Sequence, residues 1–83
     1  MNMTEQSIQI AAHKMVYILV VEQSLHAGEG MSEKALAADL QKHGIFDGER
    51  QSALDWAVAR GWLQKAGGEV RLTEAGFDMN FTQ

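Results

Sequence analysis

Apolar residues recur at helical spacing through the first third of the chain. Ile8, Ala11, Ala12, Met15, Ile18 and Leu19 stand three, four and seven apart and form one stripe. The spacing predicts a helix over residues 4–26, with Thr4 as N-cap and Glu5 in the first turn. Ile10, Tyr17, Val20 and Val21 fall on the opposite side. A helix with two apolar faces buries one against its own domain and the other against something else. A narrower stripe, Leu36 and Leu40 with Ala35, predicts a second helix over 32–43. Ser32 caps it, Met31 packs on Leu36 as a hydrophobic staple, and Gly44 suits the position just past its end. A third helix is predicted over 48–60, with Asp47 as its cap, Leu54, Ala57 and Val58 facing inward, and Gly61 as its stop.

After Gly61 the period changes. "WLQKAGGEVRLT" contains two short stretches around Ala-Gly-Gly, which predicts a β-hairpin over 62–72 with a glycine turn. Leu63 on one arm and Val70 and Leu72 on the other supply its apolar side chains. Thr73 and Glu74 begin a short helical turn, and "GFDMNFTQ" completes a turn-and-tail segment over 73–83. Proline is absent, glycine supplies the punctuation, and no repeat or linker interrupts the pattern. The expected architecture is one α+β domain over residues 1–83: mostly helical, with a three-helix core and a C-terminal two-stranded β-hairpin.

This order of elements resembles the winged helix-turn-helix superfamily, particularly small bacterial regulators of the MarR, ArsR and PadR type. The residues that carry the resemblance are "KALAADL" in the second helix, "ALDWAVARGWL" in the third and "EVRLTEAG" in the hairpin and beyond. In those families the third helix ends in Gly plus two apolar residues, here Gly61-Trp62-Leu63, and a Leu-Thr-x-x-Gly segment follows, here Leu72 to Gly76. The resemblance covers roughly residues 30 to 76. It implies the winged helix-turn-helix fold and the role of a transcriptional regulator that binds double-stranded DNA, often as a dimer, in a small bacterial protein. Two features depart from the pattern. The connection "QKHGIFDGE" reads about three residues longer than the usual turn. Gly48 and Glu49 also stand where reading side chains normally cluster.

Composition bounds this reading. The 83 residues carry 7 basic and 11 acidic groups, a net charge of −4, which argues against binding driven by release of phosphate counterions. A hydrophobic content of 46% is that of a globular chain rather than a disordered one. The absence of cysteine excludes disulfides and thiolate metal sites. The start "MNMTEQ" has no basic region of a signal peptide, and the longest apolar run, "MVYILVV", is far shorter than a bilayer span. A cytoplasmic protein without membrane contact is expected.

Two candidate surfaces follow. Taking Leu54 as inward, the outer side of the third helix carries Glu49, Ser52, Trp56 and Arg60, with Asp55 at its edge. A DNA-facing set is assembled from Arg50, Gln51 and Arg60 at the groove and Lys65 and Arg71 on the hairpin at phosphates, with Lys42 and His43 before the turn. The alternative for these charges is a solvated helix face. The rival reading is a winged-helix protein–protein interaction module, or a small phage or plasmid accessory factor that occupies a host protein, without DNA binding. Ile10, Tyr17 and Val21 suit a homodimer contact, or lie covered by Phe77, Met79 and Phe81 of the same chain. Trp56 either meets a protein partner or packs under the hairpin or against the first helix, and Trp62 belongs at the helix–strand corner. No catalytic residue, metal site or cofactor is expected. His13, His26 and His43 lack ligand spacing, Gly28-Glu29-Gly30 lacks the rest of a phosphate loop, and no nucleophile elbow is present.

Overall fold

The computed structural model describes residues 4–79 as an α+β fold with helices outnumbering strands. Helix α1 spans Glu5–Tyr17 and continues as a π-helical turn, Ile18–Glu22. A short strand β1, Gly30–Ser32, precedes α2, Glu33–Lys42, and α3, Asp47–Ala59. The hairpin follows as β2, Leu63–Ala66, and β3, Glu69–Leu72, and a single-turn helix α4, Glu74–Phe77, closes the described chain.

The ends of the helices follow from local chemistry. Thr4 and Ser7 form a reciprocal capping box on α1, each side chain bonded to the other's backbone N–H. Ser32 accepts from the Ala35 N–H at 3.0 Å and caps α2 as expected. Two helices stop in the same way. Gly44 and Gly61 adopt φ of 78° and 81°, and the apolar residue after each donates back to the helix, Ile45 to Leu40 and Trp62 to Ala57. A left-handed residue is needed at that point, and glycine takes it without steric cost.

The first helix is shorter than its apolar pattern predicts. The π turn, closed by Gln23 N–H donating to the Ile18 carbonyl at 2.8 Å, ends it, and Ser24 turns the chain at φ 56°. Apolar periodicity does not register this stop, because Leu25 still packs on the core from outside the helix. The cap of α3 also differs: Phe46 holds the N-cap position without a side-chain bond, and Asp47 is the first helical residue. Ala35 is exposed, so Leu36 and Leu40 alone make the inward stripe of α2. The connection between α2 and α3 is only residues 43–46, so the apparent excess length is absorbed by α3 beginning at Asp47.

The sheet gains a strand that the sequence pattern did not reveal. β3 lies between β1 and β2, antiparallel to both, with Met31 opposite Val70 and Leu63 opposite Leu72. Met31 therefore serves as a strand residue. Three residues are too few to display alternation, and Gly30 is required because a Cβ there would sit 2.6 Å from the Val70 carbonyl oxygen. The hairpin turn is Gly67-Gly68, both at positive φ, 55° and 82°, as a two-residue turn between twisted strands demands.

One core joins these parts. Met15, Ile18 and Leu19 from the first helix meet Leu36, Leu40 and Leu54 from the other two, and Leu63, Val70 and Leu72 close it from the sheet. Alternation places Val70 and Leu72 inward and Arg71 outward. Thr73 fastens the sheet to the end of α3: its hydroxyl lies 2.8 Å from the Trp62 carbonyl and accepts from the Gly76 N–H at 3.0 Å. Gly76 then lies directly against the Trp62 carbonyl, leaving no space for a side chain. The Leu-Thr-x-x-Gly segment is thus a clamp.

Candidate functional site

The exposed row of α3 is rotated from its expected position. Ala53, Leu54 and Ala57 are all buried and Arg50 is only 17% exposed, so the inward sector is wider than Leu54 alone suggests. Asp47, Gly48, Gln51, Asp55 and Ala59 are exposed, with Arg60 at the C-cap. Glu49, Ser52 and Trp56, expected on the outer side, are partly buried. What this helix offers to solvent is two aspartates, one glutamine and one arginine.

The six candidate DNA contacts divide by what already holds them. The Arg50 guanidinium lies 3.2 Å from Glu33 and 3.7 Å from Asp47, bridging α2 and α3, and its Nε is buried with no partner among the described residues. Arg71 is half-exposed, 3.1 Å from Glu69 and within 3.4 Å of the Gly28 carbonyl. Lys42 lies 3.8 Å from Asp39 with its side chain 79% exposed, a weak surface pair. Gln51 and Lys65 are exposed, Lys65 on β2 opposite Val70. Arg60 is exposed but lies over the ring of Trp56, 4.3 Å from its centroid.

Trp56 belongs to an aromatic cluster that spacing alone does not reveal. Its ring meets Trp62 edge-on at 5.3 Å, and Trp62 meets the His13 ring of α1 edge-on at 5.0 Å. The His13 ring is set by its Nδ1, 2.8 Å from the Gln9 carbonyl. Trp56 is half-buried against Trp62, with its ring centroid 6.5 Å from that of His13 on the first helix. The cluster was hidden because its members stand 43 and 49 residues apart in the chain, counting from His13 to Trp56 and to Trp62.

A second surface runs along the outer side of α1. Ile10 is 59% exposed and Val21 is 37% exposed, while Tyr17 and Val20 pack in part on the core. Ile10, His13, Lys14, Tyr17, Glu22 and His43 line an open groove of about 570 Å³. Glu22 and His43 meet across it at 3.3 Å. Of the tail residues expected to cover this face, Met79 packs on the core, Phe77 stays exposed beside His26, and Phe81 lies outside the described residues.

One carboxylate is tuned by its loop. Glu29 accepts from the His26 backbone N–H at 2.7 Å, and this bond holds its pKa below the ordinary glutamate range, with the His26 ring adding to the effect and slight desolvation opposing it. Among the described residues, no three His, Asp or Glu side chains converge as a metal site, and no helix is long and apolar enough to cross a membrane. The chain matches no family model, no curated protein and no solved structure.

Proposed function

We propose that this chain is a winged helix-turn-helix module that sets α3 in the major groove of duplex DNA, with the hairpin as its wing, and so acts in transcriptional regulation. The observation that carries the reading is the arrangement of α2 and α3. They are joined by four residues, 43–46, and α3 keeps one face uncovered as it runs through Gly61 into the hairpin. A helix-turn-helix reads bases with the N-terminal part of its second helix. Here that part presents Asp47, Gly48, Gln51 and Asp55. Gln51 suits a bidentate contact with adenine, and the aspartates suit the amino group of cytosine.

The phosphate contacts are few. Arg60, Lys65 and Lys42 are exposed and at most weakly paired, whereas Arg71, though exposed, is held by Glu69 at 3.1 Å and Arg50 is committed to Glu33. Each phosphate neutralised contributes a slope of about −0.9 in log affinity against log salt. Three contacts give roughly −2.7 for each protomer, a shallow dependence for a DNA-binding protein. Fluorescence anisotropy with duplex DNA across a salt series tests this. Binding with a slope near that value, reduced by about 0.9 in Lys65→Ala, supports the reading. No binding at low salt overturns it.

A second reading is favoured by the charge of the same face. Asp47 and Asp55 repel phosphate, and the Arg60–Trp56 stack at the C-terminal end of the same helix has the chemistry of a protein-binding hot spot. In this reading the exposed face of α3 docks on a basic protein surface, and Asp55→Lys abolishes that contact while creating no DNA affinity.

A further inference from the structure

We propose that Glu33 masks Arg50, an autoinhibitory contact in which the α2 carboxylate competes with duplex DNA for the α3 guanidinium. The inference rests on the reading of α3 as the groove helix, and one arm of its test needs no DNA.

Among the candidate DNA contacts, Lys42, Arg50 and Arg71 each have a carboxylate partner, and exposure separates them. The Lys42 side chain is 79% exposed and those of Arg71 and Glu69 are 46% exposed, so water screens their attraction. The Arg50 and Glu33 side chains are only 17% and 28% exposed. Theirs is the least screened pair, and the one that holds its cation away from a ligand. Glu33 itself is fixed. It is the first residue of α2, behind the Ser32 cap, and its N–H donates to the Gly68 carbonyl of the hairpin turn at 2.9 Å. The carboxylate thus stands on a rigid backbone where α2 meets the hairpin.

The guanidinium is the part that can move. It ends a long stem on the first turn of α3, and both Asp47, three residues before it, and Gln51, the next residue, are exposed. One of its nitrogens already lies 3.7 Å from Asp47, whose side chain is 80% exposed. The uncovered face of α3 is therefore one swing of the side chain away. The present seat is also imperfect. Arg50 Nε is buried and finds no partner among the described residues. A buried donor without an acceptor opposes the pair, and moving the guanidinium onto a phosphate satisfies it. Glu33 is exposed enough to take water when the arginine leaves. A guanidinium fork matches carboxylate and phosphate by the same geometry, so the two compete for it.

Fluorescence anisotropy with duplex DNA across a salt series compares wild type, Glu33→Gln, Arg50→Met and the double variant E33Q/R50M. Circular dichroism confirms that each folds. Glu33→Gln keeps the size of the side chain and removes its charge. It is expected to bind roughly tenfold tighter at low salt, with a slope of log affinity against log salt steeper by about 0.9, one phosphate contact. In the Arg50→Met background the same substitution is expected to bring no gain. An equal gain in both backgrounds reports only the loss of a negative charge and overturns the proposal. Wild-type affinity and slope in Glu33→Gln also overturn it, and leave the groove reading standing. No binding by any of these proteins overturns the groove reading and the mask with it. Without DNA, the Arg50 Nε–H resonance is expected to exchange slowly with water in wild type and faster in Glu33→Gln. Equal exchange in the two overturns the mask whatever the DNA result.

Discussion

Adding one methyl group at Gly76 tests the clamp that holds the hairpin to the end of α3. A Cβ at this position meets the Trp62 carbonyl oxygen head-on, with the Leu72 Cδ1 at 2.9 Å and the Trp62 carbonyl carbon at 3.1 Å. The side chain of Leu72 can turn aside. The carbonyl cannot, because it accepts from both the Thr73 N–H at 3.1 Å and the Thr73 hydroxyl at 2.8 Å. Forcing a methyl into a packed site costs about 1–3 kcal/mol, and loosening one of those bonds costs about 1 kcal/mol more. The helix preference of alanine over glycine returns up to about 1 kcal/mol. The net is a destabilisation of about 2 kcal/mol, which lowers the melting temperature of a domain this size by roughly 8–16 °C. Thermal unfolding followed by circular dichroism measures it. Gly48→Ala is the control: nothing lies within 4 Å of its Cβ, so helix preference alone acts and stability rises by about 0.5 kcal/mol. If Gly76→Ala melts at or above wild type, Gly76 does not touch Trp62 and the clamp is wrong.

Three further outcomes follow from the same geometry. Arg50→Ala removes the bridge between α2 and α3 and costs about 1–2 kcal/mol, the pair being mostly shielded from water; Arg50→Met keeps the apolar stem and costs less in urea denaturation. Ser24→Gly relieves a left-handed backbone conformation at φ 56° and raises stability by up to about 1 kcal/mol, read from the same denaturation midpoint. Glu29 has a lowered folded-state pKa, so its contribution is present above the ordinary glutamate range and is lost as pH falls through the lowered value. The melting-temperature difference between wild type and Glu29→Gln is accordingly positive near neutrality and closes in acid.

Much of the fold was legible because it rests on local chemistry. Ser32, Gly44, Gly61 and the Gly67-Gly68 turn mark element ends through backbone requirements that few other residues meet. The strand at Met31 was not legible, since its existence depends on pairing with Val70, 39 residues away in sequence. The end of the first helix was missed for a related reason: Leu25 serves the core whether or not it is helical, and nothing in its apolar character reports the π turn. The candidate contacts were legible as residue types but not as free groups. Arg50 and Lys65 look alike in a list of cations, yet only tertiary structure brings Glu33 to Arg50 and leaves Lys65 exposed. The orientation of α3 shifted because an inward arginine widened its buried sector.

The proposal that α3 and the hairpin together engage duplex DNA is tested most directly by amide chemical shifts of the isotopically labelled chain during titration with duplex DNA at low salt. The account predicts shifts at Gly48, Gln51 and Asp55 on α3 and at Lys65 and Gly67 on the hairpin, with Ile10 and Lys14 unmoved. Shifts confined to the first helix, or none at all, would contradict it.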